Sequence, residues 1–130
     1  MANVLSVTAK EEMAQAWLTN DMRVVLLSSS YTYSSAHDNL DDVAAGARIA
    51  TSSALSGKTA TNGVLDADDY TFNALTGTTV RKYWIYKHTG VESTSKLWIY
   101  VDEAENLPFT PNGDNKRLEF PNGADKIAAL

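Results

Sequence analysis

The residues of this chain that could do chemistry are few and scattered. It has two histidines, His37 and His88. His37 stands directly before Asp38, and a carboxylate beside an imidazole is a pairing that can orient a general base. A hydrolase also needs a nucleophile presented on a strained elbow. No Gly-x-Ser-x-Gly motif occurs, and Ser28–Ser30, Ser34 and Ser35 fall in a hydroxyl-rich run that reads as loop. His37 is therefore read as a turn residue that packs or bonds locally. His88, next to Lys87 at the end of an aromatic stretch, is read as a solvent-edge residue. No catalytic residue is assigned, and the chain is not expected to be an enzyme.

Carboxylates form two clusters, one of Asp38, Asp41 and Asp42 and one of Asp66, Asp68 and Asp69. Calcium takes about six to eight oxygens, with carboxylates on alternate loop positions. Asp66-Ala67-Asp68 has that spacing but lacks the glycine and distal glutamate of a calcium loop. Asp66, Asp68 and Asp69 are thus the candidates for a metal, set against the plainer reading that aspartates close turns. Two separate histidines without thiols do not make a zinc site. Gly57-Lys58-Thr59 matches the end of a phosphate-binding loop, but Ser52 stands where its first glycine belongs. No metal and no cofactor are assigned.

Aromatic residues offer a different chemistry, that of contact. Tyr83, Trp84, Tyr86, Trp98 and Tyr100 lie on β-forming stretches and read first as core, with a sugar-binding platform on Trp84 or Trp98 as the alternative. Tyr31-Thr32-Tyr33 sits in a polar loop, where no periodicity calls for aromatics. Tyrosine offers a large contact area at low entropic cost, so Tyr31, Thr32 and Tyr33 are the first choice for an interface. The stretches Gly57–Gly63 and Leu107–Asn115 are second choices.

These residues need a scaffold, and the pattern supplies one. Thr8-Ala9-Lys10-Glu11 fits a capping box. Ala9, Met13 and Trp17, widened by Ala14 and Leu18, make an apolar stripe, which predicts a helix over 9–18 ended by Asn20-Asp21. Met22–Ser28 is β-branched and apolar, as in a strand buried on both faces or lying under the helix. His37–Val43 predicts one helical turn capped by Asp38, with a strand near Ala47–Thr51 after Gly46. Ser52–Gly63 reads as a loop or weakly paired edge ribbon, and Val64–Phe72 as two extended pieces about an acidic bend. Val80–His88 and Leu97–Val101 form the clearest hairpin. In it Trp84 and Tyr86 share one face and Tyr83 and Ile85 the other, while Trp98 and Tyr100 alternate against Leu97, Ile99 and Val101. Arg117–Phe120 and Lys126–Leu130 follow Asn-Gly turns and predict edge strands. The whole reads as a single domain over 1–130, mainly β: a β-sandwich or open barrel of short antiparallel strands over 22–130, with one N-terminal helix packed on it.

Composition narrows the function classes. The 130 residues carry 11 Lys+Arg and 16 Asp+Glu, a net charge of −5 that speaks against a nucleic-acid partner. There is no cysteine, so disulfides and thiolate chemistry are excluded. The longest aliphatic run, Val24–Leu27, is far too short to cross a membrane, and the opening residues do not read as a signal peptide.

Several segments in series resemble a family of small structural proteins of tailed bacteriophages. They are Met22–Tyr31, His37–Val43, Leu65–Phe72, Lys82–Gly90, Ser95–Asp102 and the closing Phe120–Leu130. The order of the segments carries the resemblance. The chain departs from the family in a shorter Ala44–Ser53 stretch and in Phe120, near which relatives more often have tryptophan. The resemblance implies a virion component, assembled in the host cytoplasm, whose partners are the major capsid protein or other virion proteins. A head-decoration (cement) protein that binds the assembled capsid is the leading expectation, and a neck or tail component is its rival. A homo-oligomer is expected on symmetry grounds. A carbohydrate-binding β-sandwich is the alternative from another class.

Overall fold

Six consecutive residues, Met22–Leu27, are all buried except the half-exposed Arg23, and they form the strand around which the rest is built. The computed structural model describes residues 3, 5–102, 107–120 and 126–129. In chain order its elements are α1 (Val7–Thr19), β1 (Met22–Leu27), β2 (Arg48–Thr51), β3 (Thr59–Thr61), β4 (Val64–Asp66), β5 (Tyr70–Phe72), β6 (Lys82–Lys87), β7 (Leu97–Val101), β8 (Lys116–Leu118) and β9 (Ala128–Ala129). Single turns of 3-10 helix occupy Leu40–Asp42, Ala45–Ala47 and Glu92–Thr94. A four-stranded antiparallel sheet runs β2-β1-β6-β7, and two small sheets run β3-β4-β9 and β5-β8. The fold is therefore mainly β, with short antiparallel strands and one N-terminal helix packed on them.

The central sheet has a core on each side, and strand alternation divides the residues between them. Val24 and Leu26 of β1 join Tyr83 and Ile85 of β6 on one face, against Trp17, Leu65, Phe72 and Leu118 from α1 and the small sheets. Val25 and Leu27 join Trp84 and Tyr86 on the other, against which no strand of the described residues packs. That second face is closed by Tyr31, Leu40, Val43 and Ala47, all from the chain between β1 and β2. The expectation of a β1 strand buried on both faces holds, as do the two faces of β6.

The helix differs from expectation in its cap and its face. Ser6, not Thr8, is the cap: its Oγ accepts the Ala9 N–H at 3.1 Å, and the helix starts one residue later, at Val7. Trp17 fixes the docked face, because its Nε1–H donates to the Asp66 carbonyl at 3.0 Å and its ring lies 6.5 Å from that of Trp98. One turn back, the small Ala14 lets the backbone approach the sheet, while Met13 turns outward and is 53% exposed. The contact thus runs through Ala14 and Trp17, and Met13 takes little part in it.

Four local features complete the scaffold. Asn62 and Gly63, with φ of 53° and 79°, form a two-residue turn that joins β3 to β4 and pairs Thr61 with Val64. The Leu40–Asp42 turn is not capped by Asp38. Asp42 instead reaches back to accept the N–H groups of Asp38 (2.8 Å) and Asn39 (3.2 Å). A β-bulge in β7 lets Tyr86 pair with Leu97 while Ile85 pairs with Ile99. It breaks the expected alternation, so Leu97 and Tyr100 pack on the second face, with Tyr31 and Leu40, while Trp98, Ile99 and Val101 pack on the helix side. Finally, β8 and β9 lie at sheet margins, as expected. The Asn122-Gly123 turn falls outside the described residues.

Candidate contact surface

The chain leaves β1 through a tight turn that folds it back over the sheet. Ser28 is buried; its carbonyl accepts the Tyr31 N–H at 3.2 Å and its Oγ accepts the Ser30 N–H at 3.2 Å. This throws Tyr31 inward, to 4% exposure. Trp84 Nε1–H donates to the Tyr31 hydroxyl at 2.9 Å, and that hydroxyl lies 2.8 Å from His37 Nδ1. The phenol oxygen thus accepts from the buried indole and is hydrogen-bonded to the imidazole, joining the two rings. Lys82 Nζ donates to the Tyr31 carbonyl at 2.7 Å. Tyr31 is therefore a core residue, which overturns its expected exposure. A run of hydroxyl residues hid it, because its partner on β6 is distant in the chain. His37 bonds locally in its turn, as expected.

The solvent-facing part of this loop is Thr32 and Tyr33. Tyr33 is half exposed, its ring centroid 4.9 Å from Tyr100 and 6.0 Å from Trp84, nearly parallel to the indole at 24°. Trp84 and Tyr100 lie 5.1 Å apart, so Tyr33 rests on a shelf of two rings. Trp84 is buried beneath it and presents no open face to a sugar. Burial pushes the Tyr31 phenol above its ordinary range, against the lowering effect of the Trp84 hydrogen bond. Burial, with the Asp102 carboxylate adding, pushes Tyr100 up to about 12.

Two of the three carboxylates singled out for metal are engaged elsewhere. Asp69 accepts from Arg117 and from the Phe120 N–H, both at 2.9 Å. Asp66 lies 3.4 Å from Lys126 Nζ. Asp68 is exposed and lies against Gly57, where an added Cβ would come within 2.3 Å of the carboxylate. The three aspartates share one open concavity, yet among the described residues no three histidine or carboxylate groups converge as a metal site would require. In the Gly57–Gly63 stretch, Lys58 turns inward and donates to the Asn20 carbonyl at the end of α1, and burial lowers its ammonium pKa. In the 107–115 stretch, Phe109 exchanges both backbone hydrogen bonds with Val80, at 2.8 and 3.1 Å. His88 donates its N–H to the Asp21 carbonyl at 2.7 Å.

One anchoring residue had no sequence signal. Arg48 donates to both carboxylate oxygens of Glu92, at 2.8 and 2.9 Å, and to the carbonyls of Leu40 and Val43. It ties the covering segment to the β6–β7 connection, 44 residues away. A lone arginine gives no hint of that partner. A scan against protein-family models matches none to this chain, and no curated protein matches it.

Proposed function

We propose that the chain is a structural component of a tailed-phage virion, a head-decoration protein that adheres to the assembled capsid. The resemblance of the ordered segments supports this reading. So does Tyr33, an aromatic held half in solvent on the Trp84–Tyr100 shelf beside the exposed Thr32. Its ring is already positioned, so docking it costs little ordering entropy, and aromatic anchors of this kind dominate interface energies. Repetition over a symmetric shell would multiply a modest contact into firm adhesion.

The test is co-sedimentation with heads that lack the protein. Tyr33→Ala is expected to melt like the parent yet weaken binding by about 2 kcal/mol, roughly thirtyfold in Kd. Full binding by that variant removes Tyr33 from the interface. Binding to isolated necks or tails and not to heads would move the chain to the neck or tail.

A further inference from the structure

We propose that the cleft along the outer margin of β7 binds a neutral pyranose sugar. Here the Leu97 N–H donates to the Asp38 carbonyl at 2.9 Å, and the Leu40 N–H to the Ser95 carbonyl at 2.8 Å, with Asn39 opposite Lys96. These backbone bonds hold the two segments side by side, and residues of both line a cleft of about 440 Å³: His37, Asp38, Asn39, Lys96, Leu97 and Trp98. That volume is in the range of small-molecule sites. The β7 bulge sets Trp98 here; it packs on Trp17 to one side and also lines the cleft.

The polar groups match a sugar's rim of hydroxyls, each of which both donates and accepts. Asp38 supplies an acceptor and Lys96 a donor, and neither side chain is engaged with another described residue. The Tyr31 hydroxyl occupies His37 Nδ1, which leaves Nε2 as a further polar atom. The indole suits the apolar C–H face of a pyranose ring. One carboxylate and one ammonium cancel in charge, so the cleft favours an uncharged ligand. This inference does not rest on the virion reading.

The experiment is an NMR titration of the full chain, following the Trp98 indole N–H, with the methyl β-glycosides of glucose, galactose and N-acetylglucosamine as probes. At least one is expected to shift that signal saturably at millimolar concentration while the Trp84 signal stays in place. Asp38→Ala and Lys96→Ala are each expected to keep the parent melting temperature and to weaken the response by about tenfold, the loss of one charge-assisted hydrogen bond. The proposal fails if none of the three probes gives a saturable shift, or if both variants bind like the parent. It also fails if glycine, which matches the charge pair alone, shifts the signal and the glycosides do not.

Discussion

Tyr31 and Tyr33 are two residues apart and do opposite work. The Tyr31 hydroxyl accepts the buried Trp84 N–H and is hydrogen-bonded to His37 Nδ1. Tyr31→Phe keeps the ring and strands that N–H, so it should cost about 1–3 kcal/mol in a urea melt. Tyr31→Ala adds the lost ring and should cost about 3–5 kcal/mol. Tyr33→Ala should stay within about 0.5 kcal/mol of the parent, because its ring is half in solvent. Equal effects from Tyr31→Phe and Tyr33→Ala would contradict the hydrogen-bond chain. At this scale the sequence was least legible. Both tyrosines sit among serines and threonines, and only the return of the chain onto Trp84 separates them.

Elements were read better than their faces. The alternation in β1 and β6 was visible because six-residue apolar strands buried on both sides leave little freedom of register. The bulge in β7 was invisible, since Leu97–Val101 reads as unbroken alternation and the extra residue shows only in its pairing with β6. For α1 the residue types were right and the rotation was off, because the stripe is wide and one tertiary hydrogen bond, from Trp17 to Asp66, selects among its possible faces. Trp17→Ala should therefore cost about 3–5 kcal/mol, whereas Met13→Ala should change the melt by no more than about 0.5 kcal/mol. A large loss from Met13→Ala would put the docking face back on the Ala9–Met13 side.

For the whole molecule, titration sets the limits of stability. The Arg23 hydrogen bond holds the Asp21 carboxyl below its ordinary range, and the backbone N–H groups of Asp38 and Asn39 do the same for Asp42. A lowered carboxyl favours the fold above its unfolded pKa, and that contribution is lost as pH falls through the folded value. Phenols set the other limit. Burial raises Tyr83, Tyr86 and Tyr31, and Tyr100 to about 12, so the folded chain keeps protons that the unfolded chain gives up. Their contribution is complete below about pH 10 and is lost above it. Urea midpoints should form a plateau between about pH 5 and about pH 10 and fall on both sides. A midpoint still level at about pH 11 would show that the tyrosines are open to solvent.

The stretch from Ser28 to Ala47 closes one of the two cores, though it has no strand of its own and only two single helical turns. This determines where the chain can carry foreign cargo. A peptide spliced in after Ser35 would part Tyr31 from His37 and lift the cover from Trp84, so it should lower the melting temperature even though the site lies at the surface. Gly90 offers a better place. It is exposed, has φ of +89°, and an added Cβ would meet nothing within 4 Å. The same peptide spliced between Gly90 and Val91 parts the exposed Thr89–Val91 hydrogen bonds and no core contact, so it should lower the melt by less, and the side-by-side melts measure how far the covering segment belongs to the core.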